Sequence, residues 1–334
     1  MGINPMSEVF ISRKIFPEAL DLLTREGISY TVNEIDRKLS REELIHQLLG
    51  HQGLICTLAD NIDGEIINST RSLKVISNLG AGFNNVDIAA ATARQIIVTN
   101  TPGVLSDTTA DLAFALMIGV ARRVAEGDRI VRAGKMTELE FMRQDMGADI
   151  DGKTLGIVGM GGIGLAMARR AHLGFNMNIL YHNRRPDRKA EAEVNARMVS
   201  FDELLENSDF ISVHVPLTAE TRHMFGPEEF KKMKKSAYIV NTSRGPVIDE
   251  AALADALSKG LIKGAALDVY EDEPRVNPKL LEITENVLFT PHVGSATIAT
   301  RTKMALMAAG NMAAALKGKV PPNLVNGVTV LRNG

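Results

Sequence analysis

Tryptophan is absent from the 334 residues, and cysteine occurs once, at Cys56. A lone thiol excludes an internal disulfide framework and any cysteine-rich metal site, so no metal is expected. It also fits a reducing compartment, and the cytoplasm is the expected location. Neither charge sign dominates: 38 Lys and Arg stand against 40 Asp and Glu, a net charge of −2. No basic surface field therefore recommends nucleic acid or an anionic membrane as a partner. No apolar run approaches the ~20 residues that a membrane-spanning helix needs. The start, Met1-Gly2-Ile3-Asn4-Pro5-Met6, lacks the basic beginning and apolar centre of a secretory signal. Residues 1–5 are compatible with an extension ahead of Met6. What is there is an ordinary globular mixture, 45% hydrophobic and 23% charged. That excludes disorder for the bulk of the chain. At about 150 residues per domain it points to roughly two domains.

Strand and helix signals alternate almost throughout. Residues 9–15 form a short apolar run, and 17–27 read as a helix with Ala19, Leu20, Leu22 and Leu23 on one face and Gly27 as its stop. A β-branched stretch at 29–35 follows, and then a helix opened by Ser40 with Glu43 three residues on, a capping box. Residues 53–58, 74–79 and 96–100 are further buried-strand candidates. Strands separated by helices make a parallel sheet, so the first hundred residues read as one small α/β unit. Thr101-Pro102-Gly103 punctuates the chain. A helix over 106–124 follows, and 125–150 read as polar, irregular connection or subunit contact. Six more strand candidates, 154–158, 177–181, 210–215, 238–242, 265–270 and 287–290, build a second, larger doubly wound sheet. The last helix is expected over 296–316.

Leu155-Gly156-Ile157-Val158 runs into Gly159-Met160-Gly161-Gly162-Ile163-Gly164 and then into Leu165-Ala166-Met167-Ala168. Strand, G-x-G-x-x-G and helix arrive in the order a dinucleotide site requires. Gly159 makes the tight turn, Gly161 lets the backbone approach a pyrophosphate, and Gly164 lets helix and strand pack closely. Amides at the helix start, Gly162 and Ile163 among them, face the anion. An acidic residue some twenty positions on would hold the ribose of NAD. The chain reads Tyr181-His182-Asn183-Arg184-Arg185 there. No carboxylate repels a phosphate, and two guanidiniums and an amide can hold one, which favours NADP while leaving NAD possible.

Polar signals follow three strands of the second series. They are Asn241-Thr242-Ser243-Arg244-Gly245, Asp268 with Glu273 five residues later, and Pro291-His292-Val293-Gly294-Ser295. Ligands of open α/β sheets sit at the carboxyl ends of the strands, so these groups are expected to converge. Reducing a ketone by hydride leaves an alkoxide to be protonated, and His292 suits that acid. Glu273 suits the carboxylate that favours the imidazolium. Arg244 suits a bidentate anchor for a substrate carboxylate. Taken singly, Arg244 also fits a strand-end cap, Glu273 one charge in the run Glu271-Asp272-Glu273, and His292 a loop histidine.

Together, Gly159 to Gly164, Asn241 to Gly245, Leu267-Asp268-Val269-Tyr270-Glu271-Asp272-Glu273-Pro274 and Pro291-His292-Val293-Gly294-Ser295-Ala296-Thr297 resemble the D-isomer-specific 2-hydroxyacid dehydrogenase family. The likeness runs from Val9 to about Asn326. It is nearest the glyoxylate/hydroxypyruvate reductase branch through Asn78-Leu79-Gly80-Ala81-Gly82-Phe83-Asn84-Asn85-Val86-Asp87 and Asn100-Thr101-Pro102-Gly103-Val104-Leu105. The resemblance implies a Rossmann cofactor domain, 103–294, inserted into a smaller flavodoxin-like substrate domain of 1–102 plus 295–334. It implies Arg244 as substrate anchor, Glu273 as partner of the acid and His292 as proton donor. Asp268 and the Thr242-Ser243 backbone would hold the nicotinamide end. The glycine-rich turn at 78–82 leaves amides able to take a carboxylate. By resemblance Ala81 and Gly82 do so, with Leu58 packing over the substrate. A homodimer joined through 104–150 is also implied.

The absence of tryptophan departs from hydroxypyruvate reductases that place one near the substrate. The expected activity is NADPH-preferring reduction of a short 2-oxo acid such as glyoxylate. Two alternatives stand beside it. One is a 2-ketogluconate or other D-2-hydroxyacid dehydrogenase of the same family. The other is a dinucleotide-sensing scaffold or corepressor on the same fold, against which the lack of long disordered flanks argues.

Overall fold

A computed structural model of the protein describes residues 8–139, 141 and 146–331. The readings made for residues 1–5 and for 140 and 142–145 lie outside these. The chain divides into two compact units. One holds the residues up to Leu105 and those from Ala296 onward, and the other is Ser106–Ser295.

The first unit is a five-stranded, all-parallel sheet of β1 (Val9–Ile11), β2 (Tyr30–Val32), β3 (Gly53–Thr57), β4 (Val75–Leu79) and β5 (Ile97–Thr99), in the order β2-β1-β3-β4-β5. That is the flavodoxin-like order. Its helices are α1 (Pro17–Arg25), α2 (Arg41–Leu48), α3 (Gly64–Ser69) and α4 (Ile88–Ala93). Ser40 closes a true capping box with Glu43, and Asp63 and Asp87 cap α3 and α4. Apolar strands buried on both faces need cover on both. On one face Phe10, Leu54, Ile76 and Val98 pack with Leu48 and Ile66. On the other Ile11, Ile55 and Val75 meet Leu23 and the last helix, Ile298–Leu316, through Ala305, Ala308 and Met312. The chain's last helix thus returns to the sheet of its first hundred residues, and Ser77 donates its hydroxyl to the Ala308 carbonyl at 2.9 Å.

The second unit begins with α5 (Ser106–Ala121) and α6 (Val124–Arg132) and carries a seven-stranded parallel sheet. Its strands are β6 (Thr154–Val158), β7 (Asn178–His182), β8 (Arg197–Met198), β9 (Phe210–Val213), β10 (Tyr238–Asn241), β11 (Gly264–Leu267) and β12 (Val287–Phe289). The order β12-β11-β10-β9-β6-β7-β8 is the dinucleotide-binding arrangement with one strand added. Its direction reverses between β6 and β9. Between the strands run α7 (Gly162–Phe175), α8 (Arg188–Val194), α9 (Phe201–Asn207), α10 (Pro227–Lys232), α11 (Glu250–Ser258) and α12 (Pro278–Glu282). Ala113, Met117, Ala166 and Met167 cover one face, and Phe230, Leu253 and Leu280 the other.

Several elements differ from the sequence reading. The range 125–150 contains all but the first residue of the helix α6. Its polar sequence carries a tertiary anchor: buried Glu126 accepts from Arg123 Nε at 2.7 Å and from the Asn286 amide at 2.7 Å. The two-residue strand β8 is too short to show a period. Strands at 9–15 and 29–35 are also shorter than their apolar runs, three residues each.

Gly164 shows how tightly α7 lies on β6. A Cβ there would stand 2.3 Å from the Gly159 carbonyl oxygen. Alanine gains about 1 kcal/mol of helix propensity, and overpacking against fixed backbone costs about 1–3 kcal/mol or more. Gly164→Ala is therefore expected to lower the thermal unfolding midpoint. An unchanged or raised midpoint in calorimetry would contradict that packing.

Candidate active site

The loop from β6 to α7 is a backbone cradle. Gly159 holds φ +97°, and a Cβ there would lie 2.8 Å from the carbonyl carbon of His214. Only glycine lets the turn close against the end of β9. At Gly161 a Cβ would meet nothing within 4 Å, so the mouth of the loop is open. Gly161 caps α7 without a side chain, which leaves the amides of Gly162, Ile163 and Gly164 without intrahelical partners. Nearby strand ends carry two buried polar atoms that have no partner among the described residues, His214 Nδ1 and Thr242 Oγ1. Val213 and Asn241 pair across β9 and β10, so these two residues follow at adjacent positions. An open anion cradle beside unsatisfied polar atoms fits a dinucleotide.

β7 ends at His182, and Asn183 follows, half-buried, with Arg184 and Arg185 exposed. Among the described residues neither arginine pairs with a carboxylate. Arg184 helps hold the Glu220 carboxyl below its ordinary value, after the Thr218 hydroxyl and the Glu220 amide. Their neighbours are committed elsewhere: Arg188 pairs with Glu191, and Arg169 with Glu193.

The ends of β10, β11 and β12 carry the reactive groups. Asn241 Oδ1 accepts from the Ser243 amide at 3.0 Å and the Ser243 hydroxyl at 2.8 Å, while its Nδ2 donates to the Arg244 carbonyl at 3.0 Å. That side chain folds the turn presenting Arg244. A Cβ on Gly245 would fall 1.9 Å from the Tyr270 carbonyl, so only glycine lets this turn lie against the chain leaving β11. Arg244 Nη1 donates to the Ser243 carbonyl at 2.6 Å, and among the described residues no carboxylate pairs with the guanidinium directly. Burial pulls its pKa down, opposed by the charge of Glu273.

Glu273 Oε2 lies 2.7 Å from His292 Nδ1, and its Oε1 accepts from the Tyr270 amide at 3.0 Å. Burial works to raise this carboxyl. The hydrogen bond and charge of His292, the Tyr270 amide and the Arg244 charge outweigh it, and the pKa ends below the ordinary value. With Nδ1 engaged, Nε2 is the ring nitrogen left to face a ligand. His292 adopts φ +54°, a left-handed conformation uncommon outside glycine. Asp268 holds it there. Its Oδ1 accepts from the Thr290 hydroxyl at 2.6 Å and the Val293 amide at 2.8 Å, and its Oδ2 from the Gly294 amide at 2.8 Å. Both oxygens of Asp268 thus clamp the loop that carries the histidine.

In the first unit, Asn78 shapes the turn after β4. Its Nδ2 donates to the Gly82 carbonyl at 2.9 Å, and Asn100 Nδ2 donates to the Ala81 carbonyl at 2.6 Å. With those carbonyls held, the Ala81 and Gly82 amides make no hydrogen bond among the described residues. Leu58 packs beneath: a Cβ on Gly80 would lie 2.7 Å from its Cδ2. The structure therefore brings Arg244, Glu273, His292 and Asp268 together in one unit, with Thr242 and Ser243 on the same turn as Arg244, and Leu58, Ala81 and Gly82 together in the other. Sequence reading missed His214, whose only signal is its place just beyond the apolar strand β9. It also missed Glu250, which resembles any acid opening a helix.

The sequence model described as "D-isomer specific 2-hydroxyacid dehydrogenase, NAD binding domain" matches residues 114–294. The chain is 45% identical over 322 residues to a glyoxylate reductase of Thermococcus litoralis, covering 96% of each chain. A crystal structure of a protein from Thermus thermophilus superposes with a TM-score of 0.87 at 41% identity, covering 95% of this chain and 99% of that one. The NADPH-dependent glyoxylate/hydroxypyruvate reductase of Sinorhizobium meliloti, in complex with NADP and malonate, superposes with a TM-score of 0.85 at 30% identity, over 98% of each chain.

The half-buried ring of His214 bears on stability. Burial lowers its pKa from 6.5 to about 4. Between those values the unfolded chain binds a proton that the folded one does not, so stability falls as pH drops through that window. The melting temperature of His214→Gln, which cannot titrate, is expected to fall less from pH 7 to 4.5 than that of the wild-type chain. Equal falls would remove His214 from the acid response.

Proposed function

Because the chain belongs to the D-isomer-specific 2-hydroxyacid dehydrogenase family and is an NAD(P)-dependent oxidoreductase, we propose that it reduces short 2-oxo acids of the glyoxylate and hydroxypyruvate type, with NADPH preferred over NADH. The observation that carries this reading is the 2.7 Å contact of Glu273 with His292, beside an arginine that no carboxylate among the described residues pairs with directly. The dinucleotide, when bound, supplies the hydride to the keto carbon. His292 Nε2 gives its proton to the carbonyl oxygen, which becomes the hydroxyl of the 2-hydroxy acid. Glu273 accepts the Nδ1 hydrogen bond, fixes the tautomer and favours the imidazolium that must donate. Arg244 holds the substrate carboxylate and polarises the adjacent carbonyl. Ala81 and Gly82, whose amides can take a carboxylate, and Leu58 are assigned to the substrate.

The residues assigned to the cofactor are Gly159, Gly161, Gly162, Ile163 and Gly164 at the pyrophosphate, and Thr242, Ser243 and Asp268 toward the nicotinamide. Asn183, Arg184 and Arg185 are assigned to the 2′-phosphate. Support for NADPH comes from those two unpaired guanidiniums and from the NADPH-dependent relative of known structure. A homodimer through 104–150 belongs to the same reading, supported by Leu139 at 89% and Phe141 at 95% exposure there. So does a cytoplasmic location. Among the described residues no helix is long and apolar enough to cross a membrane.

NADPH oxidation with glyoxylate, hydroxypyruvate, pyruvate and 2-ketogluconate tests the substrate class, and turnover of 2-ketogluconate alone would overturn the short-acid reading. His292→Ala is expected to cut kcat by about 100-fold or more, the usual worth of a general acid, while NADPH still binds. Glu273→Gln is expected to move the alkaline limb of the reductive pH profile to lower pH, since the carboxylate charge 2.7 Å from the ring is then removed. A wild-type profile in Glu273→Gln would break the assignment. Replacing Arg184 and Arg185 with alanine is expected to raise the KM for NADPH about tenfold, roughly the worth of one charged contact, and to leave that for NADH near wild type. Equal changes for both cofactors would remove the phosphate role.

A further inference from the structure

Glu250, the first residue of α11, is 4% exposed. A buried carboxylate is costly unless a cation or several donors offset it. Among the described residues no cation does so. The charges closest on the adjoining loop are Glu271 and Asp272, which share its sign and, after burial itself, help push the Glu250 pKa up. The helices packed against α11 spend their cations elsewhere: Lys231 on Glu228 and Lys232 on Asp202 in α10, Lys279 on Asp255 in α12. Helix capping does not account for the residue either, because Asp249 already accepts from the Ala252 amide at 3.0 Å.

What offsets the burial is a pair of backbone donors. Glu250 Oε1 accepts from the Glu271 amide at 2.7 Å and Oε2 from the Asn277 amide at 3.1 Å. These two amides bracket Glu273. The grip is reciprocal on one side, since the Glu250 amide donates to Glu271 Oε2 at 3.4 Å, and Glu271 Oε1 meets His223 Nε2 at 2.5 Å. One side chain therefore ties both ends of a seven-residue segment whose middle carries the carboxylate facing His292.

We infer that Glu250 is a positioning residue for the reductase reaction, holding the 271–277 segment so that Glu273 stays within hydrogen-bond reach of His292. The inference rests on the function proposed above. Glu250 does not touch His292 and acts through Glu273.

Three variants separate this role from a merely structural one. Glu250→Ala removes both acceptors. It is expected to lower kcat about tenfold, roughly the worth of one hydrogen bond to a charged group, with the KM for NADPH unchanged. Its alkaline limb is expected to move toward lower pH, as in Glu273→Gln. Glu250→Gln keeps one acceptor oxygen and is expected to show the same changes at smaller size. A folded Glu250→Ala with wild-type kcat and an unmoved limb overturns the inference. Should the alanine variant fail to fold, a glutamine variant indistinguishable from wild type overturns it equally. Glu273→Gln distinguishes the two levels. If it leaves the limb unmoved, the reading of Glu273 as the histidine's partner fails. If it moves the limb and the Glu250 variants do not, only the positioning role fails.

Discussion

A carboxylate oxygen 2.7 Å from an imidazole nitrogen is a demanding contact to hold between two loops that leave different strands. Glu273 follows β11, His292 follows β12, and neither belongs to a regular element. Much of the local architecture serves that contact. Asp268 spends both oxygens on the loop of His292. Tyr270 donates its hydroxyl to the Thr290 carbonyl at 2.8 Å, linking the two strand ends, and its amide to Glu273 itself. Gly245 lets the Arg244 turn lie against Tyr270. The left-handed backbone of His292 persists because these bonds over-determine it.

A second constraint is electrostatic. The chain is close to neutral, yet its donors near the strand ends are left uncompensated. Among the described residues, Arg244 is half-buried without a directly paired carboxylate, Arg184 and Arg185 are free of ion pairs, and the first amides of α7 have no side-chain cap. Elsewhere arginines are committed to carboxylates, as Arg123 is to Glu126 and Glu285. An anionic ligand gains most from groups that have not already found partners, and a preorganised donor reorganises little when charge develops on the substrate.

The parallel sheets make this economical. All strands of each unit point the same way, so their carboxyl ends and the loops that follow lie along one edge. The reversal of strand order between β6 and β9 opens a crevice beside Gly159, where the β6–α7 loop and His214 adjoin. Function then needs a few polar residues at strand ends, and the strands can stay apolar.

Much of this was legible in the amino-acid order alone. Strand–helix alternation fixed the α/β class, because side-chain period and apolar burial are local properties of sequence. Gly159 to Gly164 announced the cradle, because a tight turn and a bare helix start need glycine at set positions. Arg244, Glu273 and His292 stood out as polar residues just past apolar strands. Tertiary contacts decided the rest. The polar helix α6 exists through the grip of Glu126 on Arg123 and Asn286, which lie on either side of it in the chain. The return of the last helix onto the first sheet depends on which apolar faces remained uncovered. Glu250 became more than a helix-opening acid only when folding buried it against the amides of Glu271 and Asn277. Sequence specifies what each residue can offer, but hydrogen bonds between residues distant in the chain exist only once packing has brought donor to acceptor and removed the water between them.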